Sequence, residues 1–415
     1  MINWDRFTEI FHSLQQHKVR NVLTGFGVAW GIFILILLLG AGQGLQDGVL
    51  KLFSAYAQNS IWVYAGQTSE TRKGGKSGEQ IVFNQELLTN LKNRFPQIQF
   101  LSPEVTYSGS STVSYQKKHQ IGRIKGVDLN YFKIKLLNIE KGRFINPLDE
   151  KEKRPVCILG SNIYEVLSNN KQLIGEYINI AGNWFKVIGV LEKSSTLNHG
   201  EQDAVYLPFT AFQNSFGIKN AFFVFGLLLK EHTDSEMFET KLNEFLAHQL
   251  HFEKTDSKAV FISNMNQQVK SFNKLFIGIK LFLWFVGFSM LLSGIIGVGN
   301  IMLVIVKERT KEIGIRKALG GRSKSILLMV VSEAITITLL AGMVGLFFGL
   351  IIIGLANYLL GQLYAADEVL INSFTVNIPV IIGAVILLVI SGALAGIIPA
   401  KKAAEVMPVK ALNQE

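Results

Sequence analysis

The stretch VKERTKEIGIRKALGGRSKS, residues 306 to 325, carries seven Lys or Arg and two Glu, yet an apolar segment flanks it on each side. Each flank is long enough to cross a bilayer, whose hydrocarbon core takes ~20 largely apolar residues of helix. A strip of net charge +5 between two such segments cannot lie within the hydrocarbon, so it must be a short connection outside it. Fixing this connection fixes the rest of the layout.

Working outward, the 415 residues are 49% hydrophobic and 17% charged, too apolar for a soluble protein and too charged for a wholly membrane-embedded one. Four apolar runs qualify as spans, at about Val22 to Leu45, Leu281 to Val306, Ile326 to Leu360 and Val376 to Ile398. The expected division is an interfacial helix over 1–20, a first span over 21–45, an external domain over 46–274, and a second span with its stalk over 275–306. The strip follows at 307–325, then spans over 326–360 and 376–398 and a tail over 399–415. The third span is long enough to tilt or project beyond the bilayer. Leu275 to Lys280 continues the helical pattern of the second outward.

Lys and Arg in short segments near span ends stay on the cytoplasmic side. The strip, Lys18 and Arg20 before the first span, and Lys401, Lys402 and Lys410 after the last therefore predict cytoplasmic termini. The connection between the third and fourth spans holds Asp367 and Glu368 and no basic residue, as an outside loop should. Lys270, Lys274 and Lys280 lie on the outer side, but long domains translocate largely regardless of charge. The first apolar run is too long for a cleaved leader and reads as a retained anchor. Before it, Trp4, Phe7, Ile10, Phe11 and Leu14 fall at helical spacing between polar residues, which predicts an amphipathic helix on the inner membrane surface. Anchoring to anionic lipid accounts for the net charge of +10, without nucleic acid as a partner.

The external segment reads as α+β. Ser60 to Tyr64, Gln85 to Phe95 and Gln99 to Val105 form strand, helix and strand near one end. Phe222 to Leu229, Ser235 to Leu250 and Ala259 to Ile262 repeat the order near the other. Two βαβ units then bracket the domain and share one mixed sheet, a porter-like subdomain. The middle, about 107–215, reads as an inserted β-rich subdomain.

No catalytic constellation emerges. The sole cysteine, Cys157, lies in the apolar run PVCILGS and reads as a core residue. The polar tract 66–80 contains GKS, but Glu70 stands where a phosphate-binding loop needs its first glycine. The seven His show no ligand pair at helical spacing, so neither a metal nor a cofactor is expected on this chain. Within the spans, Glu333 is the conspicuous ionisable residue; it reads either as a partner of the basic strip or as a solvated interfacial group. Gly27 and Gly31, Gly345 and Gly349, Gly392 and Gly396, and Ser293 and Gly297 are each four apart, the spacing of closely packed helices. They suit a tight bundle and a dimer. In the strip, Ile315, Ala318 and Leu319 share a helical face, Glu312 can pair with Arg316, and Gly320 with Gly321 stops the helix. A charge anchor would need only the basic residues, whereas a docking element needs the ordered face as well.

ERTKEIGIRKALGG resembles the signature of the FtsX-like permease family, and the resemblance extends over about 281–411. IKGVDLNYFKIKLLNIEKGRFI, VCILGSNIYEVL, LIGEYINIAGNWFKVIGVLE and EQDAVYLPFTAFQ are similar to the periplasmic core domain of MacB-type permeases, in that family's order. The resemblance implies a bacterial inner-membrane permease of the ABC type. It assigns contact with an ABC ATPase to Glu308, Arg309, Glu312, Ile313, Gly314, Ile315, Arg316, Lys317, Ala318, Leu319 and Gly320. MacB itself carries a fused nucleotide-binding domain that these residues do not include, so a separate ATPase subunit holding ATP and Mg is expected. The resemblance also implies pairing with an identical or paralogous permease chain. A periplasmic adaptor and outer-membrane duct often complete the path in this family. Export by mechanical relay is the leading reading; an FtsX-like regulator or a lipoprotein-releasing subunit is the alternative.

Overall fold

The computed structural model describes residues 18–53, 56–69, 78–169, 171–193, 199–218, 221–363 and 373–407. The expected interfacial helix, residues 70–77 of the polar tract, and Asp367 and Glu368 lie outside them. The chain divides into two compact units, Val49–Lys274 and the combination of Met1–Gly48 with Leu275–Glu415.

In chain order, helix α1 (Lys18–Phe53) precedes β1 (Ser60–Ala65), α2 (Gln85–Arg94) and β2 (Ile98–Thr106). Next come β3 (Thr112–Tyr115), β4 (Lys118–Ile121), β5 (Arg123–Val127), α3 (Leu129–Ile134), β6 (Ile139–Gly142) and α4 (Pro147–Lys151). They are followed by β7 (Val156–Leu159), α5 (Ser161–Ser168), β8 (Tyr177–Ile180), β9 (Asn183–Leu191), α6 (His199–Gln202), β10 (Ala204–Pro208) and α7 (Phe209–Phe216). The globular unit closes with β11 (Val224–Leu229), α8 (Ser235–Gln249) and β12 (Val260–Asn264), and the chain continues as α9 (Met265–Glu308), α10 (Thr310–Ala318), α11 (Ser323–Leu363) and α12 (Ile378–Ala404).

Among the described residues the globular unit holds one twelve-stranded sheet in the order β12-β1-β11-β2-β5-β10-β7-β9-β8-β3-β4, with β6 on β9. The two βαβ units interleave. β1 and β2 are joined through α2, and β11 pairs antiparallel with both of them; β1 in turn lies between β11 and β12. Each crossover thus skips one strand position, which a strand of the other unit fills. Alternation puts Ile61 and Val63 of β1 with Leu87, Leu91, Phe238 and Leu242 on one face, and Trp62 with Tyr131, Ile134 and Tyr206 on the other. Asn84 caps α2 by accepting from the Leu87 N–H, and Asp234 caps α8 through the N–H groups of Glu236 and Met237.

The middle segment departs from the sequence reading. It extends the same sheet instead of closing on its own: β5 pairs antiparallel with β2, Val127 opposite Glu104, and parallel with β10. It also carries the short helices α3 to α7, the longest of eight residues. Barely two turns cannot establish a 3.6-residue repeat, so such helices leave little periodic trace.

Among the described residues four helices, α1, α9, α11 and α12, are long and apolar enough to span a membrane. The 44 residues of α9 reach about 66 Å at 1.5 Å per residue, roughly twice a ~30 Å hydrocarbon core. The core of this unit unites Val28, Ile32, Leu35 and Ile36 of α1 with Leu291 and Val298 of α9, Ala334 of α11 and Leu388 of α12. Exposed Leu281, Phe282, Phe285 and Phe347 form the outer surface, the arrangement expected where lipid is the solvent.

Candidate functional site

The strip folds as a tight connector. α9 ends at Glu308, and Arg309 breaks the helix with φ −93° and ψ 12° before α10 begins. The Thr310 hydroxyl donates to the carbonyls of Val306 (3.1 Å) and Lys307 (2.7 Å), satisfying groups freed at that break. At the other end Gly320 takes φ +92°, a left-handed conformation that disfavours any side chain, and the Gly321 N–H returns to the Arg316 carbonyl at 3.0 Å.

Three basic residues clamp α10 to its surroundings. Arg309 approaches Glu333 of α11 at 3.5 Å. Arg316 pairs with Glu312 at 2.9 Å and reaches the Met329 sulfur at 2.9 Å. The Lys317 ammonium donates to the carbonyls of Ala404 (2.7 Å) and Val406 (3.0 Å) at the end of α12. Ile313 and Gly314 are buried against the spans, so they hold the helix in place and do not face outward. Ala318, Gly320, Ile315 and Leu319 are exposed, the last two at 44% and 83%. The result is a helix fastened by polar contacts whose free face mixes apolar Ile315, Ala318 and Leu319 with charged Lys311 and Glu312.

Glu333 is 5% exposed and lies beside Arg309, which selects the pairing over a solvated interfacial group. A carboxylate at that depth is costly to bury without a cation. Sequence reasoning missed Met329 and the carbonyls of Ala404 and Val406, because backbone acceptors and a thioether carry no charge signature.

The glycine pairs pack helix on helix within this chain. Gly27 and Gly31 of α1 meet Gly294 and Leu291 of α9; Gly345 and Gly349 of α11 meet Ala29 and Ile36 of α1; Gly392 and Gly396 of α12 meet Thr338, Ile335, Ala334 and Val331 of α11. Ser293 faces outward, while its neighbour Gly294 makes the close approach to Val28.

A second polar constellation went unnoticed in the sequence. Lys125 of β5, Lys135 after α3, and Glu201 of α6 are 4–5% exposed. Glu201 accepts from Lys125 at 2.8 Å, Lys135 at 3.2 Å and the Tyr131 hydroxyl at 3.1 Å, and also from the Tyr206 hydroxyl. Lys125 also meets Glu104 of β2 at 3.2 Å. Burial alone would raise the Glu201 carboxyl, but Lys125 and Lys135 outweigh it and hold the group well below its ordinary 4.5. Burial would likewise lower the Lys135 ammonium, and Glu201, Tyr56 and Glu104 instead raise it above 10.5. Cys157 is buried, and burial pushes its thiol up, which suits a core residue. Among the described residues no group of three or more His, Cys, Asp or Glu is arranged to hold a metal.

The chain matches the MacB-like periplasmic core domain over residues 22–245 and the FtsX-like permease C-terminal domain over 284–408. It is 27% identical to "Macrolide export ATP-binding/permease protein MacB 2" of Aeromonas hydrophila, across 100% of this chain and 62% of that one. It is 28% identical to "Macrolide export ATP-binding/permease protein MacB" of Neisseria gonorrhoeae, across 99% of this chain and 62% of the relative. The chain therefore spans about three-fifths of the length of these relatives. The crystal structure of the periplasmic region of MacB from Actinobacillus actinomycetemcomitans matches 53% of this chain and 95% of its own, at 17% identity and a TM-score of 0.44. With its four apolar helices and its mixed α/β unit, the chain belongs to the family of multi-pass ABC-type permeases that join a MacB-like periplasmic core domain to an FtsX-like permease domain.

Proposed function

We propose that this chain is the membrane subunit of an ABC-type exporter that relays the movement of an ATPase to its globular unit, and that α10 is where the ATPase docks. One observation carries the reading: a nine-residue helix between two spans is clamped by Arg309, Arg316 and Lys317 while Ile315 and Leu319 stay exposed. A fastened seat that exposes Ile315 and Leu319 beside Lys311 and Glu312 suits a soluble partner, since burying a Leu or Ile side chain contributes about 1.5–3 kcal/mol.

In this reading α10 and both termini lie in the cytoplasm and the globular unit in the periplasm of a bacterial inner membrane; the basic strip and the Lys and Arg flanking the outermost spans support that orientation. ATP and Mg are, in the same reading, held by the ATPase that docks on α10. Pairing with a second permease chain would supply two such seats. A relay fits the spans, whose ionisable content is sparse and whose facing surfaces are small and apolar, better than a polar channel does.

The test is recovery of an ABC ATPase with the detergent-solubilised protein, alongside Ile315→Asp and Leu319→Asp. Recovery by the parent and loss with either variant is expected. Equal recovery with all three would remove α10 as the seat. Failure of the parent to recover any ATPase, from cells that make one, would overturn the driven permease itself.

A further inference from the structure

The last turn of α1 belongs to the globular unit, and the chain leaves it for β1 past Tyr56 and Ala57. Three contacts hold this exit. The Ala57 N–H donates to the Ile134 carbonyl at 3.1 Å. Phe53 packs on Phe272 of α9, ring centres 5.3 Å apart. The Lys135 ammonium donates to the Tyr56 hydroxyl at 3.1 Å and lies over the rings of Tyr56 and Trp62, 4.3 and 4.5 Å from their centres.

From Lys135 a continuous line of buried charge runs inward, through Glu201 of α6 to Lys125 of β5 and on to Glu104 of β2. Tyr206 of β10 joins it at Glu201. Two ammonium groups face two carboxylates, so the line is neutral as a whole. Such a line is a poor way to gain stability, because apolar side chains of similar volume often do as well or better. What it supplies is direction: each bond fixes a position that apolar packing would leave free to slide.

We infer that Lys135 and Glu201 are positioning residues that fasten the exit of α1 to the middle strands of the sheet, so that helix end and sheet form one rigid body. The purpose of the fastening rests on the relay reading above: displacement of α1 would arrive at β5 and β10 undiminished. The fastening itself can be measured without any ATPase.

The experiment is hydrogen exchange on the full chain in detergent, comparing the parent with Lys135→Met/Glu201→Gln. The double variant removes one charge of each sign and leaves Lys125 paired with Glu104, so it avoids an orphaned buried charge. Exchange should quicken roughly tenfold or more at Tyr56–Trp62 and Tyr131–Lys135, with α8 unchanged. Unchanged exchange at those two segments overturns the inference, and so does an equal increase throughout the unit, which would mean general stability and no local tie. A second arm adds the ATPase with and without a non-hydrolysable ATP analogue. In the double variant the analogue should still alter exchange along α1 but no longer at β5 and β10. A parent that ignores the analogue would sink the relay while the first arm still decides the fastening.

Discussion

The chain uses charge in two opposite ways. Around α10, Arg309, Arg316 and Lys317 fasten the helix from its rim while Ile315 and Leu319 face out; in the globular unit Lys125, Lys135 and Glu201 are enclosed among apolar and aromatic side chains. Glu312 and Arg316 keep about half of their side-chain surface, so solvent screens the pair and Glu312 can be exchanged at little cost. Lys125, Lys135 and Glu201 keep 6–7% of theirs, so each depends on the others for its place. Loss of the exposed pair therefore costs little, whereas loss of one enclosed charge unsettles the others.

The severest way to break this contrast is Lys135→Met alone. It deprives buried Glu201 of one cation, and the globular unit should lose about 3–5 kcal/mol, read from denaturant unfolding. Adding Glu201→Gln should restore much of that loss; if it did not, the enclosed charges would owe their effect to volume and not to pairing.

Intermediate effects are expected at the span contacts. A Cβ on Gly392 would strike the Thr338 hydroxyl and approach the Ile335 Cα at 2.7 Å, whereas one on Gly27 would sit at 3.7 Å from Gly294. Gly392→Ala should therefore lower stability in detergent by about 1–3 kcal/mol, and Gly27→Ala by far less. Equal melting temperatures for the two would show that the α11–α12 approach relaxes freely.

Acidity sharpens the contrast further. Glu201 titrates below its ordinary 4.5, so its contribution is present above that value and is lost as pH falls through the depressed one. Lys135 is raised above 10.5, so its contribution is full below that value and is lost only as pH rises beyond it. The stability difference between the parent and Lys135→Met/Glu201→Gln should be flat from about pH 5 to 10 and shift in acid. A difference that moved near neutrality would assign the cluster to another titrating group. The smallest effect is expected of Glu312→Ala, which breaks an exposed pair worth about 0.3–0.5 kcal/mol and should leave thermal unfolding almost unmoved.

The spans were legible because a run of ~20 apolar residues has few other readings. Their ends were not: α9 begins at Met265, where Asn266, Gln267, Gln268 and Lys270 hide its start. The strands bracketing the globular unit could be read, since Trp62 and Tyr64 alternate with Ile61 and Val63. The single sheet through the middle could not, because Val156–Leu159 and Ala204–Pro208 are buried throughout and show no alternation that would reveal their partners. In the strip, seven basic residues advertise the connector, yet which of them clamp and which face out depends on Met329, Ala404 and Val406, distant in sequence. Glu104, Lys125, Lys135 and Glu201 were invisible for the same reason: each alone looks like an ordinary surface charge.

The interleaving of the two βαβ units also sets a timetable for biosynthesis. Ser60 pairs with Leu228, and Ile61 with Asn264, so the first strand to be made has no neighbour on either side until the last two emerge. Pairings this distant are slow to form and leave apolar strands unsheltered while they wait. Nascent chains halted before residue 264 should remain open to protease, and completion of β12 should be the step that closes the unit.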